Sequence, residues 1–195
     1  MKIATRALLA AGAVACTWLA LRSPTPDGGV RHGSFASRLL GPLAGLAAAV
    51  EWGRFEAALR QGDEARAWIH ADRALALAPE ESGGWTYLAH HAVFERASPL
   101  RTQDPLERRR WIEVGLALLE RGEREAHDPG PVAFRAGIVY ATLASLDDGL
   151  RALPIARAEA WNRAAEAFDR AAAAGEPAAE EAARLAREAA RESGG

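Results

Sequence analysis

His90, His91 and Glu95 come nearest to a reactive constellation in this chain. Histidine with a carboxylate is the donor set of a zinc or general acid–base site. The spacing limits that chemistry. Adjacent histidines on a helix diverge by about 100°, so His90 and His91 cannot both face one ion. His91 and Glu95, four residues apart, share a face, but two ligands fall short of the four of a structural zinc site. The other histidines, His32, His70 and His127, stand alone in the sequence, and Cys16 is the single cysteine. No H-E-x-x-H pair, nucleophile elbow, phosphate-binding loop or dinucleotide fingerprint is present. The acidic pairs Glu80-Glu81, Asp147-Asp148 and Glu180-Glu181 fall at turns or helix starts, where they favour the helix dipole. Arg108, Arg109 and Arg110 read as a solvated helix face. A metal-dependent enzyme centred on His90, His91 and Glu95 is therefore the least supported of three functional readings. No catalytic residue, cofactor or metal is expected.

The elements that would carry these side chains are helical. Apolar residues make up 49% of the 195, alanine is abundant and β-branched residues are scarce, a composition that favours helix over strand. Trp85, Leu88, Ala89 and Ala92 recur at helical spacing. So do Trp111, Val114, Gly115, Leu118, Leu119 and Gly122, and again Trp161, Ala164, Ala165 and Phe168. Trp85, Trp111 and Trp161 are accordingly expected in the core, with Trp52 and Trp68 off the strictest stripe. Breaks fall at Gly62-Asp63, Pro79 to Gly84, Ser98-Pro99, Asp128 to Pro131, Asp147 to Gly149 and Gly175 to Pro177. Asp104-Pro105-Leu106-Glu107 predicts a capped helix start, with Glu107 answering back as in a capping box.

The N-terminus has a different character. Residues 7–21, ALLAAGAVACTWLAL, carry no charge and follow Lys2 and Arg6. That is the plan of a signal anchor or signal peptide over 1–22. Retention as an anchor through residues 3–21, cleavage after Ala13-Val14-Ala15, and lipidation at Cys16 are the three outcomes this stretch allows. Residues 23–38 are rich in Pro, Gly and Ser and read as a flexible tether. The apolar run 39–50 is too short to cross a bilayer. It opens the first helix of a domain spanning 39–195, with Pro42 in the first turn. Residues 177–192 read as a polar capping helix. The net charge is −2 and the sequence pI about 6.2, which excludes nucleic acid as a default partner. The Arg-, Ala- and Gly-rich composition looks like the coding bias of a GC-rich bacterium.

Gly62 at a turn, small Ala67 and Ala74 after it, Pro79 closing the helix, then Trp85, Leu88 and Ala89 opening the next, form one pattern. It resembles the tetratricopeptide repeat, a 34-residue helix–turn–helix unit. Ala71 and Ala92 depart from it, since the family has aromatics there. A later unit is visible in Ala136, Gly137, Tyr140, Ala164, Phe168 and Ala171, and Gly115, Leu119 and Gly122 fit a return helix. Roughly 14 to 15 surplus residues separate Ala92 from Gly115 and Tyr140 from Ala164. The resemblance spans residues 45–175, with the motif clearest over 62–92. It implies an all-α short solenoid of about three antiparallel helix pairs, preceded by one N-terminal hydrophobic helix. It also implies a partner groove lined by Trp52, Glu56 and Leu59, then Thr86, His90 and Val93, then Phe134, Ile138 and Ala141. The layout is similar to small membrane-anchored bacterial proteins with degenerate repeats. The resulting expectation is a non-enzymatic protein–protein interaction scaffold tethered to the bacterial cytoplasmic membrane, its helical domain on the outer side. The alternative is a structural subunit of a larger membrane complex.

Overall fold

The computed structural model describes residues 40–146 and 152–194. The expected membrane segment, the tether, Cys16, His32 and the Asp147–Gly149 break lie outside the described residues. The described chain is helical throughout and contains no strand, as the alanine content dictates. A 3-10 turn, Gly41–Leu43, leads into α1, Ala44–Arg60. There follow α2, Glu64–Leu77; α3, Ser82–His90; α4, Pro105–Glu125; α5, Gly130–Ser145; α6, Arg157–Ala173; and α7, Ala179–Ser193. The chain divides into two compact units, up to Ala78 and from Pro79 onward.

The first unit is the α1–α2 hairpin. Its turn is set by Gly62, whose φ of +74° is open to glycine and strained for other residues. The Asp63 amide donates to the Ala58 carbonyl and the Gly62 amide to Leu59. These two bonds close a Schellman motif on the end of α1. Asp63 then caps α2, its carboxylate accepting from the Arg66 amide at 3.1 Å. The predicted break at Gly62-Asp63 is thus two adjacent pieces of capping chemistry. Phe55 is completely buried, flanked along its stripe by Ala44, Ala48 and Ala58.

In the second unit, helices neighbouring in sequence pack on one another: α3 on α4, α4 on α5, α5 on α6 and α6 on α7. Pro79 and Trp85 mark the corner that opens it. The Trp85 ring is fully buried, and its indole N–H donates to the Pro79 carbonyl at 2.8 Å. Across the corner, the His127 amide donates to the Glu80 carbonyl. Trp111 and Trp161, expected in the core, are only half-buried. The Arg96 guanidinium stacks 4.7 Å over Trp111, and Trp161 packs on the rim of the Ala164–Phe168 cluster.

The α3 axis continues as a π-helical segment, His91–Arg96, closed by the Ala97 amide on the Ala92 carbonyl. The buried Thr102 hydroxyl donates to the Arg96 carbonyl at 2.7 Å, and Arg108 Nε to the Ala97 carbonyl at 3.1 Å. The segment's last carbonyls are thereby satisfied without an α-helical turn. Asp104 and Pro105 start α4 as predicted, Asp104 accepting from the Leu106 amide at 3.0 Å. Glu107 lies 3.9 Å from Arg96.

Small residues set the helix spacing. A methyl group on Gly137 of α5 would sit 2.5 Å from the Phe168 ring of α6, and one on Gly122 of α4 would meet Trp85 at 2.7 Å. The last hairpin, α6–α7, repeats the corner of the first: Gly175 has φ +86°, and the amides of Gly175 and Glu176 donate to Ala172 and Ala171. α7 packs on α6, burying Ala179, Ala183, Ala186 and Ala190.

Candidate functional site

The expected groove residues divide between the two units. Trp52, Glu56 and Leu59 are half-buried on α1 of the first, where Trp52 meets Phe55 edge-on at 5.6 Å. In the second unit, Phe134, Ile138 and Ala141 share one face of α5. They are half-buried and pack on the cluster that includes Ala164, Phe168, Ala183 and Ala186. Phe134 lies 5.2 Å from the Phe168 ring. These three therefore contribute to the seat of the last two helices.

On α3 the arrangement is more open. His90 is exposed, Thr86 half-buried and Val93 buried. The Thr86 hydroxyl donates to the Gly83 carbonyl at 3.0 Å. The His90 ring meets Phe94 at a tilt of 41°, centroids 4.9 Å apart, and Tyr87 is 41% exposed one turn before. Tyr87, His90 and Phe94 stand at i, i+3 and i+7, an aromatic strip along the outer side of α3 and its π-helical extension. Tyr87 and Phe94 were not among the expected groove residues. Their helical spacing with His90 was the signal that would have found them.

The candidate metal pair resolves differently at each residue. His91 is buried, and its Nδ1 lies 2.9 Å from Glu95, the i, i+4 contact the spacing allows. His90 turns outward. Among the described residues no group of three or more His, Cys, Asp or Glu side chains converges as a metal site requires. A depression of about 470 Å³ between α4, α5 and α6 is lined by Glu113, Glu120, Glu123, Tyr140 and Arg170. Each glutamate there is compensated: Glu113 by Arg109, Glu120 by Arg124, and Glu123 by a two-pronged contact with Arg170 at 2.8 and 3.0 Å.

A charged cluster escaped the sequence reading. Glu51 and His70 are each 8% exposed, one on each helix of the α1–α2 hairpin. His70 Nδ1 lies 2.7 Å from Glu51 Oε2, and Arg54 bonds the other carboxylate oxygen. The hydrogen bond to His70 holds Glu51 below the ordinary carboxylate range. Burial opposes that shift and Arg54 assists it. Both residues occupy core positions of their stripes, Glu51 between Ala48 and Phe55 and His70 between Ala67 and Ala74. A charged or polar residue at a core position on both arms of a hairpin is the signal that was available. Each satisfies the other, so the cluster reads as a buried structural pair.

Comparison with protein-family models, with curated proteins and with solved structures finds no match for this chain. Among the described residues no helix is long and apolar enough to cross a membrane.

Proposed function

We propose that this chain is a membrane-tethered, non-enzymatic adaptor of degenerate tetratricopeptide-like helix pairs, holding another protein beside the bacterial cytoplasmic membrane. The observation that carries the reading is the order of segments. An uncharged apolar run at 7–21 is followed by a Pro-, Gly- and Ser-rich stretch and then a helical body. That order tethers a folded module at a bilayer. The surface offered to the partner is the Tyr87–His90–Phe94 strip. Aromatic side chains supply contact area at low entropic cost and dominate interface energetics. The compensated glutamates around Tyr140 and the mutual satisfaction of Glu51 and His70 favour binding over catalysis.

Site-specific photocrosslinking in membranes tests it. A photoreactive residue at His90 is expected to give a discrete protein adduct, and one at the exposed Leu185 none. An absence of adducts at His90, Tyr87 and Phe94 alike would sink the adaptor reading.

A further inference from the structure

We propose that the exposed face of α1 is a second membrane contact, lying in the interfacial layer of the same bilayer that holds residues 7–21. This rests on the membrane-tether reading above. Residues 40–50 contain no charged side chain, yet Leu43 is 59% exposed, Leu46 66% and Val50 50%. At 100° per residue Leu46 and Val50 lie about 40° apart on α1, about 140° around the helix from the Ala44–Ala48–Glu51–Phe55–Ala58 face, with Leu43 in the 3-10 turn just before them. One side of α1 is therefore committed to the hairpin core. The other presents an uncharged apolar strip that stands exposed among the described residues, with Arg54 at its edge.

The occupant follows from where the chain leads. Residues 22–39 separate the apolar run from the strip in sequence, and a Pro-, Gly- and Ser-rich stretch of 18 residues would span roughly 20–25 Å as a random coil. A bilayer holding residues 7–21 would thus keep α1 within linker reach of the headgroups at high effective concentration. Large aliphatic side chains on one helix face partition into that layer. A second protein copy is a poorer occupant, because three or four side chains are few against the roughly 20–30 residues a side of a stable interface.

The test uses the full chain with Cys16→Ala, so that an introduced cysteine is unique. Leu46→Cys, Val50→Cys and, as control, Leu185→Cys each take an environment-sensitive fluorophore and are reconstituted into phosphatidylethanolamine–phosphatidylglycerol vesicles. Blue-shifted emission at residues 46 and 50, quenched by lipids brominated near the headgroup, with residue 185 unquenched, is the expected result. Chain that floats with the vesicles while residue 46 is quenched no more than residue 185 overturns the α1 contact and leaves the tether standing. A blue shift without quenching that grows with protein density assigns the strip to a second copy and also overturns it. Chain that fails to float removes the tether and this contact together.

Discussion

Glu51 and His70 show how much one buried pair can govern. Neither side chain has water to fall back on, and each is the other's main partner at 2.7 Å. Removing one leaves a buried group unsatisfied, which costs about 1–3 kcal/mol. Glu51→Gln keeps an acceptor oxygen for His70 but gives up the charge-assisted bonds to His70 and Arg54, and is expected to lower unfolding free energy by about 1 kcal/mol at pH 7, measured by urea denaturation. The pH dependence has a definite sign. Because the folded state depresses the Glu51 pKa, ionised Glu51 contributes stability that is complete above its unfolded value of about 4.3. That contribution is lost as the pH falls through the lower folded value. The wild-type chain should thus lose melting temperature below about pH 4.3 more steeply than the Gln variant. Parallel acid limbs in the two proteins would show that the pair is not coupled to folding. By contrast His91 has the Glu95 carboxylate at 2.9 Å and, among the described residues, no convergent ligand set.

At the scale of helices, close approach is enforced by what is missing from particular residues. Gly137→Ala would press a methyl group into the Phe168 ring at 2.5 Å. Overpacking of that kind costs about 1–3 kcal/mol, more than the roughly 1 kcal/mol gained from better helix propensity. Gly53→Ala is the matched control. Its added methyl meets nothing within 4 Å, so the unfolded chain's lost freedom stabilises the protein by about 0.4–1 kcal/mol. Opposite shifts in thermal midpoint for the two variants are expected; shifts of one sign would refute the spacing argument. The same contrast explains what was legible beforehand. Gly62-Asp63 and Asp104-Pro105 announce helix ends through capping chemistry contained in a few consecutive residues, and Pro79 ends α2 by restricting the residue before it. The π-helical His91–Arg96 does not announce its end this way, because the carbonyls there are satisfied by Thr102 and Arg108 reaching back from the following turn and helix. The Glu51–His70 pair was hidden for a related reason: its partners are 19 residues apart, and only the register of the hairpin brings them together. Trp111 and Trp161 obeyed the apolar period yet stayed half-exposed, since the period places a residue on a face without fixing how deeply that face is covered.

Across the whole molecule, alanine supplies most of the buried apolar positions. Such a core gains little transfer free energy per side chain and depends on packing density. Buried aromatic anchors among the described residues are Phe55 in the first unit and Trp85 and Phe168 in the second, joined there by Leu88, Ile112 and Leu119. Surface ion pairs do not make up the difference, because exposed i, i+4 contacts such as Arg109–Glu113 and Arg163–Glu159 are worth about 0.3–0.5 kcal/mol each and weaken with salt. A protein held this way should be more sensitive to added volume than to lost surface hydrophobes. Ala183 and Leu185 on α7 provide the comparison, the first fully buried and the second 51% exposed. Ala183→Leu adds three carbons where the α6–α7 contact has no room and is expected to cost about 1–3 kcal/mol. Leu185→Ala removes three carbons from an exposed position and should change stability by no more than about 0.5 kcal/mol. Circular dichroism melts of the two variants rank them directly. If losing the leucine proved the costlier change, α7 would be held by its outer face, and the close-packed alanine seam would not be what closes this end of the molecule.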